Sequence, residues 1–322
     1  MILVIGSEGQ IGSELVPALC ERYGEARVVA ADIRPQAHNR ARFRRVDIID
    51  RAALREIVKE SHATTIYNLV SILSANGEKD PELAWRVNME GLRNIIEISR
   101  TLGVRKVFWP SSIAAFGPRT PRTRTPQITV MDPTTMYGIT KASGELLCQY
   151  ASIKYGLDVR CLRYPGILSW KTPPGGGTTD YAIAMVYEAV RKRKYTCFLR
   201  KDSVLPMMYM PDAIRATLDI MDAPSERLRL RSGYNLAAIS FSPGDLEQEI
   251  QRHIPSFTCK YEPDERQRIA DSWPRSINDT YAREDFNWRP RFTLRTMVAD
   301  MLANVRQLIE GEDVRITRKR ST

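Results

Sequence analysis

Short apolar runs alternate with amphipathic stretches through the first half of the chain. Runs of strand length lie at Ile2 to Ile5, Arg27 to Ala31, Arg44 to Ile48, Thr65 to Val70, Lys106 to Pro110 and Val159 to Tyr164. Between them, Gln10 to Tyr23, Arg51 to Glu60, Pro81 to Leu102 and Thr134 to Tyr155 carry helical patterns long enough to serve as crossovers. That alternation predicts βαβ units, and hence an α/β fold with a doubly wound parallel sheet. The second half is less regular. Pro173-Pro-Gly-Gly-Gly177 reads as a loop, followed by a helix from Asp180 to Lys192 and strand-like runs at Tyr195 to Leu199, Met207 to Met210 and Tyr234 to Ala238. A helix from Gly244 to His253, a strand at Thr258 to Tyr261 and a last helix from Leu294 to Ile309 complete the pattern. No linker separates the halves. A dinucleotide-binding domain over residues 1–167 is therefore expected to share chain with a smaller, interwoven substrate region over 168–322.

Composition narrows the function classes. The 322 residues are 43% hydrophobic and 27% charged, as in a soluble globular protein. No apolar run approaches the ~20 residues of a membrane span, so no membrane partner is expected. The formal charge of +10 comes from scattered segments (Arg40 to Arg45, Arg119 to Arg124, Arg191 to Lys194, Arg318 to Arg320). These lack interleaved aromatics that stack bases, so no nucleic-acid partner is expected. Five cysteines sit far apart with no CxxC pair, and only His38, His62 and His253 supply imidazole. That pattern predicts reduced thiols, a cytoplasmic setting and no metal site. A mitochondrial matrix protein with a trimmed presequence would read the same way.

The chemistry begins at Gly6-Ser-Glu-Gly9-Gln-Ile-Gly12, between the first strand and the first helix. Glycines there let the backbone approach a pyrophosphate while the helix N-terminus supplies N–H groups, the Rossmann arrangement. Gly6, Gly9, Gln10, Ile11 and Gly12 are thus candidate cofactor contacts. Asp32 ends the second strand, where a carboxylate accepts bonds from the adenosine ribose and disfavours a 2′-phosphate. Arg34 nearby could accommodate that phosphate, but the strand-end acid favours NAD. Ile33 and Leu69 are further candidates, and Asp47 and Ile48 close the third strand where they can border the adenine. A surface acid accounts for Asp47 equally well.

Tyr137-Gly-Ile-Thr-Lys141 lies inside a predicted helix, so phenol and ammonium share one face about 6 Å apart along the axis. A lysine cation favours the phenolate, which can then take a proton from an alcohol. The same spacing arises by chance where tyrosine packs inward and lysine snorkels. Ser111 and Ser112 follow the fifth strand, where one could hold the reacting oxygen or simply begin a turn.

Glycine loop, Asp32, serine, Tyr137 and Lys141, in that order, resemble the extended short-chain dehydrogenase/reductase superfamily. The resemblance implies that Ser112 is the catalytic serine, with Tyr137 and Lys141. It implies that Asn88 lies on a helix lining the site and that Tyr164-Pro-Gly-Ile167 passes beside the nicotinamide. Further stretches are similar to the short-chain, metal-independent L-threonine 3-dehydrogenases. They include Leu73-Ser74-Ala75-Asn76-Gly77-Glu78, Pro174-Gly-Gly-Gly-Thr-Thr-Asp-Tyr181, Leu205-Pro-Met-Met-Tyr-Met-Pro-Asp212 and Ile269-Ala-Asp-Ser-Trp-Pro274. Asn76, where that family more often has threonine, and Asn278-Asp279, where it has two aspartates, depart from the pattern. The likeness implies NAD-dependent oxidation of the threonine β-hydroxyl to 2-amino-3-ketobutyrate. It places Ser74, Gly77, Thr178, Thr179, Asp180 and Trp273 at the substrate with Ser112 and Tyr137, the N–H groups of Gly175 to Gly177 helping. Thr179 as a helix cap and Trp273 as a packing residue are alternatives. A homodimer through a four-helix interface, built from Pro81 to Leu102 and Thr134 to Tyr155, is also implied. A nucleotide-sugar epimerase or dehydratase of the same superfamily, and a non-catalytic NAD- or RNA-binding relative, are the rival readings.

Overall fold

The computed structural model describes residues 1–36, 41–172 and 177–320. The first half runs β1 (Ile2–Ile5), α1 (Gly12–Tyr23), β2 (Val28–Asp32), β3 (Arg42–Arg45), α2 (Arg51–Glu60) and β4 (Thr65–Asn68). It continues with α3 (Ser74–Lys79), α4 (Pro81–Trp85), α5 (Gly91–Leu102), β5 (Lys106–Ser112), α6 (Met136–Tyr155) and β6 (Asp158–Tyr164). Parallel pairing orders the central sheet β6-β5-β4-β1-β2-β3, with a seventh strand added outside β6. Strand order reverses between β1 and β4, the switch point where such sheets bind ligands beyond the carboxyl ends of their strands. The inner strands are apolar without alternation because helices cover both faces. Edge strand β3, Arg42-Phe-Arg-Arg45, carries charge instead, which deters pairing with another chain.

One sheet face packs against α2, α5 and α6 through Leu54, Ile95 and Cys148. The other packs against α1 and two later helices through Leu15, Leu19, Ile214 and Phe286. The second half supplies β7 (Gly166–Leu168), α7 (Tyr181–Lys192), β8 (Lys194–Cys197), β9 (Leu205–Tyr209), α8 (Met210–Asp222) and β10 (Gly233–Asn235). Then come β11 (Ile239–Phe241), α9 (Pro243–Gln251), β12 (Thr258–Tyr261), α10 (Arg266–Ser272), α11 (Thr280–Phe286) and α12 (Leu294–Arg320). Strand β10 is the seventh strand, parallel to β6, and α8 and α11 cover the sheet. The remainder forms a lobe around Tyr181, Met185, Leu246 and Met297, with small sheets β11-β9-β7 and β12-β8. Among the described residues, no helix is long and apolar enough to cross a membrane.

Three differences from the predicted elements stand out. The third strand ends at Arg45, not Ile48, because Val46 and Ile48 leave the ladder to pack under the helices. The helix expected over Pro81 to Leu102 is interrupted by a π-helical turn, Arg86–Glu90, that carries Asn88. Helix α8 was not predicted at all. Pro211 sits in its first turn, and Arg215, Asp219 and Asp222 keep a polar stripe at helical spacing beside the buried Met210, Ala213, Ile214, Ala216, Leu218 and Ile220, so the period was present in the sequence. The loop Pro173 to Gly177 falls mostly outside the described residues.

Candidate active site

A cleft of about 750 Å³ opens at the switch point, lined by Gln10, Ile11, Leu69, Ser112, Tyr137, Lys141, Tyr164 and Ile167 from the sheet half. Ser74, Thr178, Thr179, Asp180 and Trp273 line it too, so most of the expected substrate residues share one cleft with the Tyr–Lys pair.

The cofactor end rests on the turn after β1. Gly6 N–H donates to Ala31 O (2.8 Å) and Gly9 N–H to Gly6 O (3.1 Å), closing the turn. A Cβ on Gly12 would lie 2.2 Å from Gly6 O, so only glycine permits this approach. Helix α1 then starts without a side-chain cap, and the fully buried Ser7 hydroxyl has no partner. An orphaned hydroxyl beside uncapped N–H groups fits a phosphate-bearing cofactor. Asp32 is 3% exposed; its carboxylate accepts from Glu8 N–H (2.9 Å), Arg34 N–H (3.0 Å) and Arg34 Nε (3.1 Å). Burial alone would raise its pKa, but these bonds outweigh it and hold the carboxyl below its ordinary value. Arg34 is thereby engaged by Asp32 and is not left to select a 2′-phosphate. Ile33 beside them stays 54% exposed.

Gly6, Gly9, Gly12, Asp32, Ile33 and Arg34 form the cofactor end beyond the cleft lining, and Asn88, Asp47 and Ile48 are set apart from both. Asn88 is buried, with Oδ1 accepting from Ile72 N–H (2.8 Å) and Nδ2 donating to Ile72 O (3.1 Å) and Thr140 Oγ1 (3.0 Å). It braces the β4–α3 connection against α6. Asp47 Oδ1 accepts from Ile49 N–H (3.1 Å), and Ile48 is buried beneath Gly91. Among the substrate candidates, Gly77 is also set back: its N–H donates to Leu73 O (2.7 Å) within α3. Tyr164 reaches the cleft, but its hydroxyl is bonded to Thr217 of α8.

Helix α6 is aimed at its N-terminus. Thr135 Oγ1 accepts from Gly138 N–H (3.1 Å) and Glu78 Oε1 from Met136 N–H (2.7 Å), so the first turn bearing Tyr137 is fixed. Such a cap is worth about 1 kcal/mol. Tyr137 is hydrogen-bonded to Ser112, which also accepts from Ala114 N–H (3.2 Å). Lys141 is 2% exposed and donates to Pro110 O (2.7 Å), its Nζ 4.5 Å from the Trp109 ring centroid and 5.3 Å from that of Tyr137.

Burial acts in opposite directions on Lys141 and Tyr137. Burial lowers the lysine from 10.5 to about 7. Tyr137 is pushed up to about 12 by burial, with only the Ser112 bond pulling the other way.

On the opposite wall, Gly177 N–H donates to Asp180 Oδ2 (2.8 Å) just before α7. Asp180, not Thr179, is the N-cap residue, and no side-chain cap bond forms there. Thr178 is 1% exposed, and its hydroxyl has no partner. Trp273 is 5% exposed, packed into the second core, and its carbonyl accepts from Arg122 Nε (3.1 Å). The lining role and the packing role are both real for it. Gly175 and its neighbours lie outside the described residues.

Sequence reasoning missed Ser71 and Pro110 on the lining, and it missed what stands behind Lys141. Glu145 is fully buried and accepts from Arg163 Nε (2.8 Å), Arg163 Nη2 (2.7 Å), Gly233 N–H (3.2 Å) and the Ser111 hydroxyl. Removing one partner of such a pair costs roughly 3–5 kcal/mol. Its signal was an acid at the next i, i+4 position after Tyr137 and Lys141, on the helix face turned to the sheet.

Comparison with known proteins adds to this geometry. The model of the NAD dependent epimerase/dehydratase family matches residues 2–237. The chain belongs to that family. NAD is therefore its cofactor, and the extended short-chain dehydrogenase/reductase chemistry of oxidation by hydride transfer is its class. An uncharacterized epimerase/dehydratase of Staphylococcus haemolyticus is 46% identical over 95% of this chain and 98% of its own length. Among solved structures, a partial-consensus L-threonine 3-dehydrogenase superposes with a TM-score of 0.94 at 51% identity, covering 95% of this chain and 99% of that one. A monomeric L-threonine 3-dehydrogenase of metagenomic origin superposes at 0.93 with 48% identity, over 96% and 99% of the two chains.

Proposed function

We propose that this family member oxidises L-threonine at its β-hydroxyl to 2-amino-3-ketobutyrate. The observation that carries the reading is the single cleft in which Ser112, Tyr137 and Lys141 face a wall of Ser74, Thr178, Thr179 and Asp180. A small zwitterion fits that wall: hydroxyls donate to a carboxylate, and Asp180 faces an ammonium. The buried, unpartnered Thr178 hydroxyl in particular gains the bond it lacks. Ser112 holds the reacting oxygen, and Tyr137 as phenolate removes its proton while the Cβ hydride departs. Bound oxidised NAD supplies the hydride acceptor and a positive charge that favours the phenolate. Lys141 and the glycine turn hold the cofactor. Likeness to threonine dehydrogenases at up to 51% identity supports the substrate. The test is NADH formation with L-threonine, with and without a chelator. Production of NADH unaffected by chelation is expected; silence with threonine alongside turnover of a nucleotide sugar would replace the reading.

The protein is further proposed to act as a cytoplasmic homodimer. On α6, Ile139, Leu146, Tyr150 and Ile153 recur at helical spacing and are 37%, 61%, 51% and 76% exposed. Leu83 and Trp85 of α4, which packs on α6, are 40% and 41% exposed. A contiguous apolar patch of this kind favours burial against a second copy. Light scattering is expected to give twice the chain mass. A monomer, the state stated for the metagenomic neighbour, would overturn the proposal.

A further inference from the structure

Three consecutive residues at the end of β5 are each fastened to a different turn of α6. Ser112 bonds Tyr137, the Pro110 carbonyl accepts from Lys141 Nζ (2.7 Å), and the Ser111 hydroxyl donates to Glu145. Residues 137, 141 and 145 follow at i, i+4 and i+8 on one helix face. A Cβ on Gly144 would lie 2.3 Å from Trp109 Cη2, so helix and strand meet as closely as the backbone permits. Glu145 is in turn held by Arg163 of β6, whose Nη1 donates to Gln127 O (3.0 Å) and Asn235 Oδ1 (3.1 Å).

We infer that Glu145 is a positioning residue for the reaction, setting Ser112 against Tyr137 through Ser111 and supplying the negative charge one helical turn behind Lys141. The inference rests on the alcohol-oxidation reading of the same cleft. Two effects separate. Loss of the Ser111 bond frees the segment that carries Ser112 and lowers kcat without changing charge. Loss of the Glu145 charge leaves the Lys141 ammonium less favoured. The titratable neighbours of that lysine are Tyr137, Glu145 and Cys148 on α6 and Cys161 on β6. Cys161 is held well above the ordinary thiol value, chiefly by its hydrogen bond with Cys148 and then by burial. Arg163, behind Glu145, is the remaining charge. With Glu145 neutral, Arg163 stands uncompensated and disfavours the Lys141 cation further, so both changes act in one direction. Less cation at Lys141 makes the Tyr137 phenolate harder to form, and the acid limb of kcat/KM moves to higher pH.

The experiment measures NAD reduction across pH for the full chain and for Glu145→Gln and Ser111→Ala. Glu145→Gln is expected to lose about tenfold or more in kcat and to move the acid limb upward. Ser111→Ala, a small change that preserves the ion pair, is expected to lose kcat with the limb unmoved and the KM for NAD unchanged. An unmoved limb in folded Glu145→Gln, or wild-type kcat in Ser111→Ala, would overturn the inference. If Glu145→Gln does not fold, the Ser111→Ala result decides alone. A wild-type chain inactive with threonine defeats the functional reading first, which keeps the two failures distinct.

Discussion

The two walls of the cleft differ in how they satisfy their polar groups. On the β5–α6 wall, Ser112, Lys141 and Glu145 all have protein partners before any ligand arrives. On the wall formed around residues 177–181, Thr178 Oγ1 and the Tyr181 hydroxyl are buried with none. The first wall is built to hold geometry whatever occupies the cleft. Thr178, which lines the cleft, carries there an unmet hydrogen-bonding demand of about 1–3 kcal/mol, while Tyr181 lies in the core behind it.

The largest expected effect tests the organised wall. Tyr137→Phe should lose ~10²–10⁴-fold in kcat while calorimetry shows NAD binding retained. Unchanged turnover would remove Tyr137 from the mechanism. Thr178→Val comes next and separates the walls most sharply. It should cost roughly tenfold or more in kcat/KM for threonine, leave NAD affinity alone, and leave the melting temperature equal or higher because an orphan is gone. A falling melting temperature would mean that the hydroxyl has a structural partner after all.

The smallest effect concerns pH. Lys141 has a folded-state pKa of about 7 against 10.5 for the free group. Between those values the unfolded chain binds the proton that the folded chain lacks. Stability therefore rises with pH across this window and is lowest below about pH 7, where burial of the cation costs on the order of a few kcal/mol. Lys141→Met should accordingly raise the melting temperature more at pH 6 than at pH 9, alongside loss of turnover. Equal changes at both values would mean that the lysine is not desolvated.

Legibility in the sequence divides along the same line. The glycine turn, Asp32, Tyr137 and Lys141 were readable because each depends on a local spacing within a strand–turn–helix unit. So was the alternation behind the parallel sheet. Asn88 and Gly77 were expected at ligands, yet they sit one layer back; adjacency along the chain does not reveal which side of a π turn or short helix faces the cleft. Helix α8 was legible and went unread: behind Pro211, the residues Arg215, Asp219 and Asp222 mark a polar stripe at helical spacing. Glu145 escaped notice because its partners lie on β5, β6 and β10, and no local pattern announces a contact spanning 88 residues.

Strand β10 carries a consequence for the order of assembly. Residues 233–235 complete the sheet beside β6, and their backbone and side chains close the Glu145–Arg163–Gln127 network. A chain made from its N-terminus has synthesised every residue of the proton-transfer site long before those three emerge. Until they do, the charges behind Lys141 lack part of their enclosure. The residues of the site are encoded early, and part of the network behind them is completed only by the three residues of β10.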